Sequence, residues 1–168
     1  MLFKYFLIFR ERLHRRAVEQ MNDLQYLCSL SNLGTYEDMT SIIQYLTSKC
    51  LMTPDKLQGM LWFAYAWGLL ILNTEICPLQ FIQTPYGPAE ININKIYPIW
   101  DNSIIPQGPP PKLNPKIEAL LNGVIKEYGP MSTDKLTKRY ASHCDNVPAG
   151  EEISARDVYM YFSSAAIA

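Results

Sequence analysis

The longest uninterrupted apolar stretch of the chain runs from Met60 to Leu72 and contains no charged or strongly polar side chain. A helix that is apolar on every face has to be buried in a core or in a membrane. This stretch is shorter than the roughly 20 residues that a bilayer span requires, so it predicts the central helix of a soluble domain. Thr53 and Pro54 lie just upstream and predict the helix start, because threonine caps free N–H groups and proline suits the first helical position.

Other segments show apolar residues three or four positions apart, which is typical of helices with one buried face. A further short helix is expected to begin at Ser132 or Thr133, since either hydroxyl can cap a first turn. The predicted helices around the central one are residues 37–50, residues 115–128, the short helix after Ser132 or Thr133, and residues 154–162.

The pattern changes between residues 77 and 94. Residues 77–83 are β-prone, Thr84-Pro85-Tyr86-Gly87-Pro88 is typical of a turn, and residues 90–94 alternate between apolar and polar side chains. We therefore expect a small β-ribbon near residues 79–94. Residues 105–111 are rich in proline, which lacks the N–H donor that helices and ladders need, so they predict an exposed loop.

The first 28 residues predict a separate amphipathic helix. Apolar residues recur at helical spacing and form one stripe, with arginines and Glu19 between them. The stripe consists of Leu2, Phe6, Phe9, Leu13, Ala17, Met21, Leu24 and Cys28. Further apolar side chains beside the stripe predict that the helix docks, either on its own domain or on a second copy, or through its basic face on a membrane surface. Asn32-Leu33-Gly34 ends the pattern, so we expect an extension over residues 1–33 and a helical domain over residues 34–168. The fold class is mainly α: a compact helical domain around one buried central helix.

Composition narrows the class of protein. The 168 residues can form one core without disulfides, and the formal net charge of -1 with 18% charged residues argues against a disordered chain or a basic nucleic-acid binder. The four cysteines form no CxxC pair, which suits a reducing cytoplasm. The N-terminal apolar run is too short for a signal peptide and has no small-residue cleavage site. We expect a cytoplasmic protein that binds proteins or small molecules, with no nucleic-acid partner and no transmembrane segment.

No arrangement of residues indicates catalysis. Ser132, Asp134 and His143 could be drawn as a triad, but no nucleophile-elbow sequence supports it. His143-Cys144 has no second histidine or cysteine at ligand spacing, and no glycine-rich phosphate loop is present. We therefore expect no enzymatic activity, no metal site and no cofactor.

Aromatic residues are the remaining signal. Trp62, Tyr65 and Trp67 lie on different arcs of the central helix, so they cannot all face one core layer. Tyr86 is expected to be partly exposed, because it lies beside a Gly-Pro turn. Aromatic side chains dominate binding hot spots, so we predict that some of these four contact a protein partner. The alternative is that Trp62 and Trp67 are core residues.

Three motifs carry a family resemblance. They are residues 53–64, beginning Thr-Pro-Asp-Lys-Leu-Gln, then Trp67-Gly68-Leu69, and then Tyr86-Gly87-Pro88. In order and spacing they resemble the phage-associated protein family typified by the SocA antitoxin, also called the Panacea domain, in which a T-P-x-K-L-Q-K-L-L-Y helix precedes a Y-G-P-V turn. The resemblance spans about residues 38–162. The chain departs from the family pattern at Gly59 in place of Lys, at Trp62 in place of Tyr and at Ala89 in place of Val.

The resemblance implies a mostly helical domain that neutralises a toxin by direct binding, or hands a client to a protease as an adaptor, without catalytic residues. At the matching positions, Lys56 and Gln58 are expected to fix the turn or to bind at its edge, with plain helix solubility as the alternative. The predicted partner-binding residues are Lys56, Gln58, Trp62, Tyr65, Trp67, Tyr86, Gly87 and Pro88. An alternative function is a phage or prophage structural or host-takeover protein that forms homo-oligomers through residues 2–28.

Overall fold

A computed structural model describes residues 37–97 and 102–165 of the chain. Within these ranges the helices are α1 (Met39–Lys49), α2 (Pro54–Trp67), α3 (Ile93–Ile96), α4 (Pro115–Tyr128), α5 (Thr133–Tyr140) and α6 (Ala155–Ala165), and the two strands are β1 (Phe81–Thr84) and β2 (Gly87–Glu90). The mainly α prediction is confirmed. The predicted N-terminal helix, its oligomer contacts over residues 2–28 and the boundary at residue 34 lie outside the described residues.

α2 is the central helix. Every side chain from Leu57 to Ala66 is buried, and α2 contacts α1, α4, α5 and β2. The Lys56 N–H donates to Thr53 Oγ1 at 3.4 Å, and Pro54 is the first helical residue, so the helix begins as predicted. Enclosure by other elements explains why this helix carries apolar residues on every face. In the described ranges, no helix combines the length and the apolarity that a membrane crossing needs.

The winding of the apolar stretch changes after Trp67. Gly68–Leu72 form a π-helical turn, and Asn73 follows with a left-handed φ of 53°. A Cβ atom on Gly68 would lie 2.6 Å from Ile76 Cγ2, so the glycine lets the returning chain pack closely against the turn. The predicted extent of the helix is correct, but its last five residues are wound more widely than a regular α-helix.

Polar side chains begin the peripheral helices. Asp38 Oδ1 accepts from the Ser41 N–H at 2.8 Å before α1, and Asn114 Oδ1 accepts from the Lys116 N–H at 2.9 Å before α4. Before α5, Ser132 Oγ accepts from the Lys135 N–H at 3.3 Å, so Ser132 is the cap rather than Thr133. The predicted peripheral helices are confirmed to within a few residues at each end.

The hairpin turn lies within the predicted turn over residues 84–88. β1 and β2 pair antiparallel with Thr84 opposite Gly87, so Pro85 and Tyr86 form the turn while Gly87 and Pro88 belong to β2. Gly87 has a φ of 106°, and a Cβ atom there would lie 2.8 Å from Ala141 Cα. Only glycine fits this position, because other residues rarely adopt such a φ and the neighbouring backbone leaves no room.

The predicted β conformation of residues 90–94 is wrong after Glu90. Glu90 is fully buried, and its Oε2 accepts from the Ile93 N–H at 2.6 Å. Its Oε1 accepts from the Gln80 N–H at 3.2 Å and from Asn92 Nδ2 at 3.3 Å. The carboxylate thus satisfies the first free N–H of α3, and a helical turn replaces the alternating strand.

The loop over residues 105–111 contains no helix or strand, as predicted, and most of it is exposed. Ile105 is the exception, because its side chain is buried and its N–H donates to the Met52 carbonyl at 3.0 Å. Gln107 Nε2 also donates to the Thr47 carbonyl, at 2.7 Å. The loop therefore fastens the end of α1 to the start of α2.

Candidate functional site

The eight predicted partner-binding residues do not form one surface. Lys56 and Trp67 are half-buried, Tyr86 is 79% exposed, and the buried ones are Gln58, Trp62, Tyr65, Gly87 and Pro88. Trp62 and Tyr65 therefore lie in the core, as the alternative stated for Trp62 expects, and neither side chain is accessible for the partner contact predicted for it. Side chains on every arc of α2 meet another element, so different arcs of this helix do not imply an exposed arc.

Gln58 joins the central helix to the hairpin. Its Nε2 donates to the Glu90 carbonyl at 3.1 Å, and its Oε1 accepts from the Glu90 N–H at 2.8 Å. Gln58 is 1% exposed, so both polar atoms of its amide need these partners. Gln58 therefore fixes the last residue of β2, whereas the prediction was that it fixes the turn or binds at the edge of the turn.

Lys56 joins α2 to the end of α4. Its Nζ donates to the Gly129 carbonyl at 2.6 Å, directly after the last helical residue, Tyr128. A positive charge there is favourable, because the carbonyl end of a helix carries partial negative charge. This contact ties the ammonium group to the protein itself.

Trp62 lies in an aromatic cluster on the side of α2 that faces the hairpin. Its Nε1 donates to His143 Nδ1 at 2.9 Å, and its ring meets Phe81 edge to face with 5.1 Å between centroids. Burial, followed by the charge of Arg139, lowers the pKa of His143 to about 4. His143 is therefore neutral at pH 7, and its Nδ1 is the acceptor that the buried indole needs.

An apolar groove opens beside the carboxyl-terminal end of α2. It has a volume of about 410 Å³ and is lined by the end of α2, the π-helical turn, one face of α4 and one residue of α5. Its lining residues are Trp67, Ile71, Leu72, Lys116, Ala119, Leu120, Gly123, Val124, Glu127, Tyr128 and Arg139. Of the predicted binding residues, only Trp67 belongs to this groove.

The aromatic side of the groove is continuous with the core. Trp67 Nε1 donates to the Tyr128 hydroxyl at 3.0 Å, and the Tyr128 ring stacks on Phe63 with 3.9 Å between centroids. Burial raises the pKa of Tyr128 to about 12, so its hydroxyl stays protonated at physiological pH. The Trp67 ring also lies 5.7 Å from that of Phe162 in α6. These contacts hold Trp67 in one orientation along the groove.

Small and apolar side chains line the groove, and charges lie towards its two ends along α4. Ala119 and Gly123 have small or no side chains, so they form a shallow depression on the surface of α4 between Lys116 and Glu127. These two charged residues are eleven positions apart, which corresponds to about 16 Å along an α-helix. Ile71 lines the groove with 43% of its surface exposed. Such a groove suits the apolar face of a helical segment that carries charges at matching distances.

The sequence pattern does not reveal this groove. Its residues come from separate segments between Trp67 and Arg139, and the α4 residues that line it mix small, charged and apolar side chains, so they form no distinct pattern in the sequence. The π-helical turn that presents Ile71 and Leu72 has no sequence signature. Its presence is a useful structural signal, because single π-turns occur frequently at functional sites.

The residues considered for catalysis have other contacts. Ser132 Oγ accepts from the first turn of α5, and His143 Nδ1 accepts from Trp62. Over residues 37–97 and 102–165, no group of three or more histidine, cysteine and acidic side chains is arranged to hold a metal ion. The described residues therefore present an apolar groove, a contact through Gln58 that joins α2 to the hairpin, and a contact through Lys56 that joins α2 to the end of α4.

Comparison with known proteins gives no match: none of the protein-family models, none of the curated proteins and none of the solved structures that were searched matches the chain. The SocA-like assignment therefore stays a prediction from its motifs.

One departure from the family pattern has a visible cause. A Cβ atom on Gly59 would lie 2.7 Å from Leu136 Cδ2 and 2.8 Å from Tyr140 Cε1. A side chain at this position would force Leu136 and Tyr140 to shift, so the glycine favours the close approach of α2 and α5.

Proposed function

We propose that this chain is a non-enzymatic, antitoxin-like protein that binds a protein partner, either a toxin or a client for proteolysis, through the groove between α4 and the π-helical turn. The observation that carries the proposal is the groove itself: about 410 Å³ of mainly apolar space beside a fixed tryptophan and a 43% exposed isoleucine. Tryptophan is enriched at interface hot spots, and apolar grooves of this kind accept amphipathic helices.

The resemblance to the SocA-like family supports the same function, because it implies direct binding of a protein without catalysis. The resembling motif includes Trp67 and Gly68, where α2 gives way to the π-helical turn. Tyr86 is a second, smaller contact candidate, since it is 79% exposed at the hairpin turn. It does not line the groove.

Co-expression with the product of a neighbouring toxin-like gene tests the proposal. We expect rescue of growth and co-purification of the two proteins. Ile71→Asp places a charge in the groove and should weaken partner binding at least about tenfold, because burying an unpaired carboxylate is costly. Ile104→Asp is the matched control, since Ile104 is 53% exposed and lies outside the groove lining.

Binding is measured by titration calorimetry on the purified pair, and thermal melts confirm that both variants fold. Absence of rescue together with absence of co-purification would contradict the proposal. Equal weakening by Ile71→Asp and Ile104→Asp would remove the groove as the binding surface.

A further inference from the structure

The chain itself contains a segment of the kind that the groove accepts. We propose that residues 2–28 dock in the groove of the same molecule and that a partner has to displace them. Displacement by a partner rests on the proposed function, whereas docking of the segment in the groove does not. Residues 1–36 lie outside the described structure, so the inference is drawn from the point where the chain enters it, from the length of the segment and from its charges.

The chain enters the described structure beside one end of the groove. The Glu37 N–H donates to the Ile76 carbonyl at 3.1 Å, and Glu37 Oε1 accepts from the Asn114 N–H at 2.6 Å. Asn114 caps α4, and Lys116 in its first turn already lines the groove. The segment that precedes Glu37 therefore starts at the Lys116 end.

The lengths are compatible with docking in the same molecule. Residues 29–36 can span up to about 26 Å when extended, which is enough to reach back over the groove. As a helix, the stretch from Leu13 to Leu24 would extend about 16 Å, the same length as the groove between Lys116 and Glu127. That stretch contributes apolar side chains at helical spacing, Leu13, Ala17, Met21 and Leu24.

The overall charges of the segment and of the rest of the chain are opposite in sign. The first 36 residues contain five lysines and arginines against three acidic residues, whereas residues 37–168 contain ten against thirteen. Opposite net charges favour association of the two parts. At finer scale, Arg12 and Asp23 are eleven positions apart, like Lys116 and Glu127. An antiparallel helix with its apolar stripe in the groove brings Asp23 to Lys116 and Arg12 to Glu127.

Hydrogen exchange measured by mass spectrometry on the full chain without a partner tests the docking. We expect the amides of residues 13–24 to be protected in the wild type. Ala119→Glu puts a charge into the groove from an exposed position and should speed their exchange at least about tenfold, because exchange follows the free energy of opening. Lys126→Glu is the matched control, since Lys126 is exposed on the same helix and does not line the groove.

A second pair of variants leaves the described domain untouched. Asp23→Lys should also speed exchange, because it reverses the charge that meets Lys116. Asn22→Lys should not, because on a helix this position lies opposite the apolar stripe. Amides of α2 serve as the internal standard and should keep wild-type protection in all four variants.

Unprotected amides over residues 13–24 in the wild type would overturn the proposal. So would equal effects of Ala119→Glu and Lys126→Glu. Protection that disappears on dilution, together with a dimer mass in light scattering, would assign the segment to a second copy instead. The partner is absent from this experiment, so its failure leaves the proposed function standing, and failed co-expression leaves the docking standing.

Discussion

Two tryptophans on the central helix, five residues apart, have different surroundings. Trp62 is fully buried, and its indole N–H donates to His143. Trp67 is half-buried, and its indole N–H donates to Tyr128 at the side of the groove. Both are aromatic residues in the same apolar stretch. An apolar stretch therefore predicts that a residue is helical, but it does not predict whether its side chain is buried. Burial depends on which other elements cover that side of the helix.

The two sides also differ in how they are closed. On the Trp62 side, a buried amide, a buried carboxylate and a neutral imidazole each have defined hydrogen-bond partners, and these are Gln58, Glu90 and His143. On the Trp67 side, Ala119 and Gly123 leave apolar space open between α4 and the π-helical turn. The first side is closed by hydrogen bonds, whereas the second leaves apolar space accessible.

Truncating the two tryptophans should separate these roles most clearly. Trp62→Ala should lower the free energy of unfolding by about 3–5 kcal/mol, because it creates a large cavity and leaves His143 Nδ1 without its donor. Trp67→Ala should cost about half as much, since its side chain is only partly buried. Urea unfolding at pH 7 measures both. Equal losses would show that the two sides contribute alike.

Acid should weaken the Trp62 side selectively. The pKa of His143 is lowered to about 4 by burial, whereas the unfolded chain has its ordinary value near 6.5. Between these values the unfolded state binds a proton that the folded state does not. The free energy of unfolding should therefore fall as pH falls through this window, by about 3 kcal/mol at its lower end.

His143→Gln is the control for this pH dependence, because glutamine does not titrate and can still accept from Trp62. The variant should be less stable than the wild type at pH 7 but lose less stability between pH 7 and pH 4.5 in urea titrations. Parallel losses in the two proteins would assign the acid sensitivity to other groups.

The smallest expected effect concerns the backbone contact near the hairpin. Gly87→Ala should cost about 1–2 kcal/mol more than Gly150→Ala. Both glycines have positive φ values, 106° and 89°, but only at Gly87 would the new Cβ meet a neighbour, Ala141 Cα at 2.8 Å. Thermal or urea unfolding of the two variants gives the difference directly. Indistinguishable stabilities would mean that β2 and α5 can move apart at little cost.

Local signals predict where the helices begin. Thr53 before Pro54 and Asn114 before Pro115 are start signals that depend on neighbouring residues alone, and both helices begin there. The central helix is predictable because a stretch of thirteen apolar residues, too short to cross a bilayer, has few alternatives to a buried helix. These features need no knowledge of the tertiary structure.

Features that depend on distant residues were not predictable. Trp62 and His143 are 81 positions apart, and a helix that is apolar all round offers no preferred face from which to infer such a pair. The alternating pattern after Glu90 predicts a strand. The segment is helical instead, because the buried Glu90 carboxylate accepts from the Ile93 N–H at the start of the helix. The groove was missed for the same reason, since its lining is assembled from segments that contact one another only after folding.

The amide of Gln58 stands in for a peptide group of a neighbouring strand. It offers a donor and an acceptor to Glu90 at the outer edge of β2. The outer edge of β1 is occupied as well. The Gln83 N–H donates to the Glu151 carbonyl, the Gln83 carbonyl accepts from the Gly150 N–H, and the Phe81 carbonyl accepts from the Ile153 N–H. Both outer edges of the hairpin are therefore hydrogen-bonded, and Pro88 has no N–H to donate. The hairpin has little free backbone that could pair with strands of other molecules, which protects it against edge-to-edge aggregation.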